Sequence, residues 1–259
     1  MGFFDWIVNI FEPQKPDFSP VVPLAKPIFV SADINGNIVE GELYLPSKPN
    51  GKGIVYCHGG FANAITPDIG VYVNSGYTTL HLDFEHEGDI AESDPNRDSI
   101  EVIDAAILLK NMYNVIDVSL VGISRGGYVA LRTFGAAPTK FRKCVNFMGP
   151  INMHDPARPY NWNNWIAGSN KNQQDVIDAK KYFDKGLDPV EMAIKGYYNG
   201  YGDKIMNIYG SMDTICPYKD MMIPFCNMVN AKKKIITGAA HNAHRTEEGQ
   251  LTAWSFLRR

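Results

Sequence analysis

The segment Gly122-Ile123-Ser124-Arg125-Gly126-Gly127 constrains the fold of this chain more than any other. It follows the apolar run Val118-Ser119-Leu120-Val121 directly and opens a helical stretch, Tyr128-Val129-Ala130-Leu131-Arg132. A serine between a buried strand and a helix sits on a turn sharp enough that side chains at the flanking glycines would clash. Its hydroxyl is pushed out at the edge of a sheet, beside a helix N-terminus whose dipole favours developing negative charge. A serine that merely caps the helix is the plain alternative. The strand before and the helix after favour a nucleophile.

Short apolar runs of the kind that precede this turn recur along the chain. Gly53–Cys57 and Tyr77–Leu82 read, like Val118–Gly122, as strands covered on both faces, and Cys144–Met148, Lys204–Tyr209 and Lys234–Thr237 continue the alternation of strands with helices. Upstream, Ile28-Phe29-Val30 and Ile38–Leu45 flank Asn35-Gly36-Asn37, which predicts an antiparallel hairpin. Asp98-Ser99-Ile100-Glu101 reads as a cap opening a helix with Ile100, Ile103, Ala106 and Ile107 on its apolar face. The last helix is expected from about Arg245 to Leu257. Alternating strands and helices predict a mostly parallel, doubly wound α/β sheet of about eight strands.

One stretch breaks the alternation. Residues 152–203 are far more than a crossover needs, and they hold Tyr160, Trp162, Trp165, Tyr182, Phe183, Tyr197, Tyr198 and Tyr201 around a helix expected at Gln173–Lys185. We read it as a cap insertion above the sheet, within one domain spanning 1–259. Trp162, Trp165 and Tyr198 are candidate pocket residues; the alternative is that the rings only pack among themselves.

A nucleophilic serine needs a base, and the base needs an acid to orient it, all at the carboxyl ends of strands. Asp213 stands in the loop Gly210-Ser211-Met212-Asp213 that leaves the Lys204–Tyr209 strand, whereas Asp203 is at the opposite end and Asp220 further on. His241 ends Gly238-Ala239-Ala240-His241, the loop after the final strand, with His244 as its rival. His81, His154 and His86 lie in a strand, at the start of the insertion and in the acidic stretch Asp83–Asp89. The stretch around His86 reads as a solvated loop rather than a metal site, because no ligand spacing in it is distinctive. His58-Gly59-Gly60-Phe61 follows the strand at Gly53–Cys57, where a backbone N–H of Gly60 or Phe61 can join that of Arg125 in an oxyanion hole. The order Ser124, Asp213, His241 separates this arrangement from other serine-hydrolase designs.

These motifs together resemble the α/β-hydrolase superfamily from about Lys26 to the C-terminus. Within it the chain is similar to prolyl oligopeptidase- and acylaminoacyl peptidase-type hydrolase domains and to small single-domain esterases. The shared residues are Asn35-Gly36-Asn37, Leu43-Tyr44-Leu45-Pro46, His58-Gly59-Gly60, Ser124-Arg125-Gly126-Gly127, Gly210–Asp213 followed by Pro217, and Gly238–His241. The resemblance implies an α/β-hydrolase fold with a cap, a Ser124-His241-Asp213 triad and no metal or organic cofactor. Dienelactone hydrolases share the outline but use a cysteine nucleophile, which Ser124 argues against. The 259 residues leave no room for an oligopeptidase's β-propeller, and the long insertion is more like the cap of stand-alone esterases, including cinnamoyl-type ones. The expected reaction is carboxylic ester hydrolysis, on aryl or hydroxycinnamoyl esters where the rings line the pocket. A peptidase or amidase is the alternative, with Glu85, Glu87 and Asp89 gripping a peptide terminus, and a non-catalytic ligand-binding fold is a further one.

Composition narrows the partners. With 25 basic and 28 acidic residues the net charge is −3, so neither a nucleic-acid-binding face nor an acidic tail is expected. Four separated cysteines form no C-x-x-C pair and read as small reduced hydrophobes. The N-terminal run Met1–Phe11 lacks a basic region and a cleavage site, and is too short to span a bilayer. It is expected as a short amphipathic helix docked on its own domain, followed by a proline-rich extended tether from Glu12 to Pro27, the two together making up 1–25 and its flank. A small-molecule ester as partner, no membrane contact and a cytoplasmic location are the resulting expectations.

Overall fold

Asn35 and Gly36 both take positive φ, 57° and 85°, the geometry of a two-residue turn whose twist matches that of its strands. They join β1 (Ile28–Ile34) to β2 (Asn37–Tyr44), with Ile34 paired to Asn37. The Nδ2 groups of Asn35 and Asn37 also donate to the Asp104 carboxylate, docking the hairpin on a helix 67 or more residues away. The computed structural model describes residues 26–60, 69–84, 92–157, 159–163 and 173–259. The expected helix and tether over 1–25, and the acidic stretch with Glu85, His86, Glu87 and Asp89, lie outside the described residues.

The remaining strands are β3 (Lys52–Cys57), β4 (Thr78–Asp83), β5 (Asp117–Ile123), β6 (Cys144–Phe147), β7 (Ile205–Gly210) and β8 (Lys232–Ile236). The eight form one sheet in the order β1-β2-β4-β3-β5-β6-β7-β8. The two pairings of β2 are antiparallel and all others parallel, so β3 to β8 end at one edge. β3, β5 and β6 are buried over nearly their full length, as strands covered by helices on both faces must be.

The helices are α1 (Gly70–Asn74), α2 (Pro95–Met112), α3 (Arg125–Ala136), α4 (Gln173–Asp184), α5 (Pro189–Ile194), α6 (Met222–Val229) and α7 (Glu247–Arg258). α2 departs from its expected start. Asp94, not Asp98, is the N-cap, accepting the N–H of Asn96 at 2.7 Å, and Pro95 occupies the first helical turn. With the start moved, Ile100 is 48% exposed, while Asp98, Glu101, Val102, Ala105, Leu108 and Leu109 face inward. Apolarity alone misassigns this face, because three carboxylates on it, Asp98, Glu101 and Asp104, are buried.

α4 lies within one residue of its expected span, and α5 follows with a capping box between Asp188 and Glu191. Tyr182, Phe183, Val190, Met192 and Tyr198 share one buried cluster with the sheet and with α3. These five residues of the stretch 152–203 therefore belong to the core. Among the described residues no helix is long and apolar enough to cross a membrane.

Candidate active site

Ser124 sits where β5 becomes α3, with φ 53° and ψ −120°. A non-glycine residue in such a conformation costs of order 1–3 kcal/mol, which the surrounding packing must offset. That packing is close: a Cβ on Gly122 would lie 2.2 Å from the Gly126 carbonyl oxygen, and one on Gly126 would lie 2.1 Å from that of Cys57. The turn is held from below by the Ser124 N–H donating to Phe147 O at 2.8 Å.

Asp213 leaves the end of β7 with its side chain fully buried. One oxygen, Oδ1, accepts the N–H groups of Ile215 and Cys216, each at 2.9 Å. The other, Oδ2, lies 2.8 Å from His241 Nδ1, and His241 Nε2 lies 3.0 Å from Ser124 Oγ. The two loops are joined directly, since Met212 N–H donates to Ala239 O and Gly238 N–H to Ser211 Oγ, both at 2.9 Å. Ala243 N–H is 3.1 Å from Met148 Sδ, which anchors the far side of the histidine loop. His241, not His244, thus bridges the aspartate and the serine. His244 lies in the short turn Ala243–Arg245 beside the Phe147 ring, and burial, with Arg245 and His241 nearby, pushes its pKa down to about 4.

The loop after β3 approaches the nucleophile closely: a Cβ on Gly59 would lie 3.1 Å from Ser124 Cβ. Gly60 follows with φ 79°, and His58 Nδ1 contacts Gly59 O at 2.9 Å. Arg125 begins α3, so its N–H is one of the donors that no residue of that helix can satisfy. Phe61 lies outside the described residues.

The pocket candidates divide. Tyr198 is a correction: it is 1% exposed, its hydroxyl donates to Leu131 O at 3.0 Å, and its ring packs on Phe225. It belongs to the core between α3 and α6, because the turn after α5 carries it inward. Trp165 lies outside the described residues. Trp162 packs against Tyr160 and Phe183, with ring centroids 4.9 and 6.1 Å away. Tyr160 donates to Ile215 O at 2.7 Å, and Phe183 packs on Tyr128 of α3. This aromatic row therefore runs from the aspartate loop to the elbow helix.

Two features escape sequence reasoning. Asn146, buried on β6, donates to Asn207 Oδ1 and Tyr209 Oη and accepts the Gly149 N–H, while Tyr209 donates to Gly149 O at 2.5 Å. This network braces the strand ends behind the elbow. The other is at the start of the insertion, where His154, Asp188 and Glu191 bring donor atoms within 4.8 Å of one another. Asp188 Oδ2 already accepts the N–H groups of Met153 and His154, and its Oδ1 that of Glu191. That arrangement is an N-terminal cap extended by an imidazole, a clasp that ties the chain at His154 to the start of α5. All four cysteines are free and buried, and burial raises every thiol pKa.

Neither a family model nor a curated protein matches the sequence. Solved structures do. An esterase of Pyrococcus furiosus aligns with a TM-score of 0.66 at 16% identity, over 90% of this chain and 91% of its own. A puromycin-hydrolysing peptidase of Mycobacterium tuberculosis gives 0.66 at 14% identity, and an acylaminoacyl peptidase of Pyrococcus horikoshii gives 0.62 at 12%. The chain has the α/β-hydrolase fold. It covers 39% and 42% of those two peptidase chains, well under half of each. Within the α/β-hydrolase fold, Ser124, Asp213 and His241 occupy the carboxyl edge of the sheet, after β5, β7 and β8.

Proposed function

We propose that the protein is a serine hydrolase that cleaves carboxylic esters through an acyl-enzyme. The observation that carries this reading is the continuous contact from Ser124 Oγ through His241 to the buried Asp213 carboxylate. His241 Nε2 takes the proton of Ser124 as its oxygen attacks the acyl carbon. Asp213 holds the Nδ1–H tautomer and stabilises the imidazolium. The N–H groups of Arg125 and of Gly60 or Phe61 receive the oxyanion, each contributing about 3–4 kcal/mol to the transition state. The imidazolium then protonates the leaving alcohol, and a water activated by His241 releases the acid. These steps need no metal or organic cofactor.

Tyr160 and Trp162, half-buried beside the aspartate loop, support aryl or hydroxycinnamoyl esters as substrates, with the insertion acting as a cap. Fluorophosphonate labelling of the folded protein at Ser124 tests the chemistry, and its absence would favour a non-catalytic binding fold. A panel of aryl and short alkyl esters tests the specificity. Trp162→Ala is expected to lower kcat/KM on aryl esters about tenfold and to leave acetyl esters within threefold; an equal loss on both removes the aryl reading.

Peptide or amide cleavage is the second reading, favoured by the two solved peptidases of this fold. Higher kcat/KM on aminoacyl arylamides than on esters would establish it. The partner in the first reading is a small-molecule ester.

A further inference from the structure

Asp98 lies on the fourth residue of α2, 1% exposed, and its Oδ2 accepts the hydroxyl of Tyr182 from α4 at 2.5 Å. Burial raises its pKa, and the Arg125 cation, the Tyr182 hydroxyl and His58 oppose that rise. Arg125 itself is 2% exposed. Its guanidinium lies 4.7 Å from the Phe84 ring centroid and 5.9 Å from that of Tyr182. The Phe84 ring in turn packs on His58, at 5.3 Å between centroids, and His58 opens the loop that carries Gly59 and Gly60. The side chain of the residue after the nucleophile is therefore held between the oxyanion loop and the insertion helix.

A buried carboxylate and a buried guanidinium each lose their hydration, which makes them a poor device for stability alone. What the Asp98–Tyr182 hydrogen bond supplies is a fixed position for the ring beside the Arg125 guanidinium. We propose that Asp98 and Tyr182 are positioning residues for the oxyanion hole, clamping the Arg125 side chain so that its backbone N–H stays aligned with the His58–Gly60 loop. The insertion helix thereby contributes to the rate of acylation and not only to substrate enclosure. This inference rests on the serine-hydrolase reading. It predicts that removing the Tyr182 hydroxyl acts on kcat, because an oxyanion donor matters most when charge develops.

The test is steady-state kinetics of the full chain on p-nitrophenyl acetate, with the rate of fluorophosphonate labelling alongside. Tyr182→Phe is expected to lower kcat about tenfold with KM within twofold, and to slow labelling by a similar factor. Lys185→Met is the control for general loosening, since Lys185 Nζ ties the end of α4 to Ser93 O at 2.6 Å without touching Arg125. It is expected to lower Tm while leaving kcat within twofold. In Asp98→Asn, adding Tyr182→Phe should cost less than a further twofold. Unchanged kcat in Tyr182→Phe overturns the proposal, as does an equal loss in Lys185→Met or additivity of the double variant. Wild-type protein that neither hydrolyses the ester nor labels overturns the serine-hydrolase reading itself, and this inference with it.

Discussion

Two imidazoles in this molecule each sit 2.8 Å from a carboxylate through Nδ1, His241 with Asp213 and His154 with Glu191. The second nitrogen separates them. His241 Nε2 faces Ser124 Oγ at 3.0 Å, whereas His154 Nε2 faces a further carboxylate, Asp184, at 3.4 Å. Burial alone would lower the His154 pKa, but the Glu191 hydrogen bond and the charges of Asp188, Glu191 and Asp184 outweigh it and raise the value. An imidazole with a carboxylate at each ring nitrogen presents neither nitrogen to a hydroxyl nucleophile. A carboxylate–histidine contact is therefore not a catalytic signature by itself; the group on the opposite nitrogen separates a candidate base from a clasp.

The largest expected difference is in turnover. His241→Ala should lower kcat on the best ester by about 10⁶-fold, as loss of a triad histidine does elsewhere. His154→Ala, assayed at a temperature where both proteins are folded, should stay within threefold, and a comparable loss there would break the distinction. Next comes the carboxylate. Asp213→Asn should cost about 10⁴-fold in kcat by favouring the wrong tautomer, while Glu191→Gln leaves kcat within twofold; full-time kinetics on both variants decides it.

A smaller effect separates the pair by pH. A raised folded-state pKa means that the stabilisation from His154 is complete below the unfolded value of about 6.5 and is lost as pH rises through the folded value. Glu191, whose pKa is lowered by His154 and the Asp188 N–H despite burial, loses its share as pH falls through its own folded value. His154→Asn should thus destabilise by about 1–2 kcal/mol near pH 6 and by much less at pH 9, read from denaturant midpoints. An unchanged difference across that range would mean that packing, not charge, holds the clasp. Smallest of all, Asp184→Asn removes a partner that is 70% exposed and should shift stability by about 0.5 kcal/mol or less.

Ser124, Asp213 and His241 are legible as candidates because each is marked locally: glycines around a serine, and loops that leave apolar runs. His241 over His244 was not settled that way, since the two are three residues apart and only the path of the loop after β8 separates them. Tyr198 illustrates the opposite failure. An aromatic in a long insertion reads the same whether it lines a pocket or enters the core, and the turn after α5 sends this one inward.

From residue order alone came the parallel sheet with its antiparallel hairpin, the elbow at Ser124 and the order of the site residues. These follow from short-range rules of strand burial, turn sterics and chain connectivity. The tertiary structure decided which carboxylates are buried and what they touch: Asp98 against Tyr182, Asp104 against the hairpin asparagines, Asp188 and Glu191 around His154. The physical reason is that a charge reads as solvent-facing until a partner from a distant part of the chain compensates its desolvation, and that partner is known only once the chain has folded.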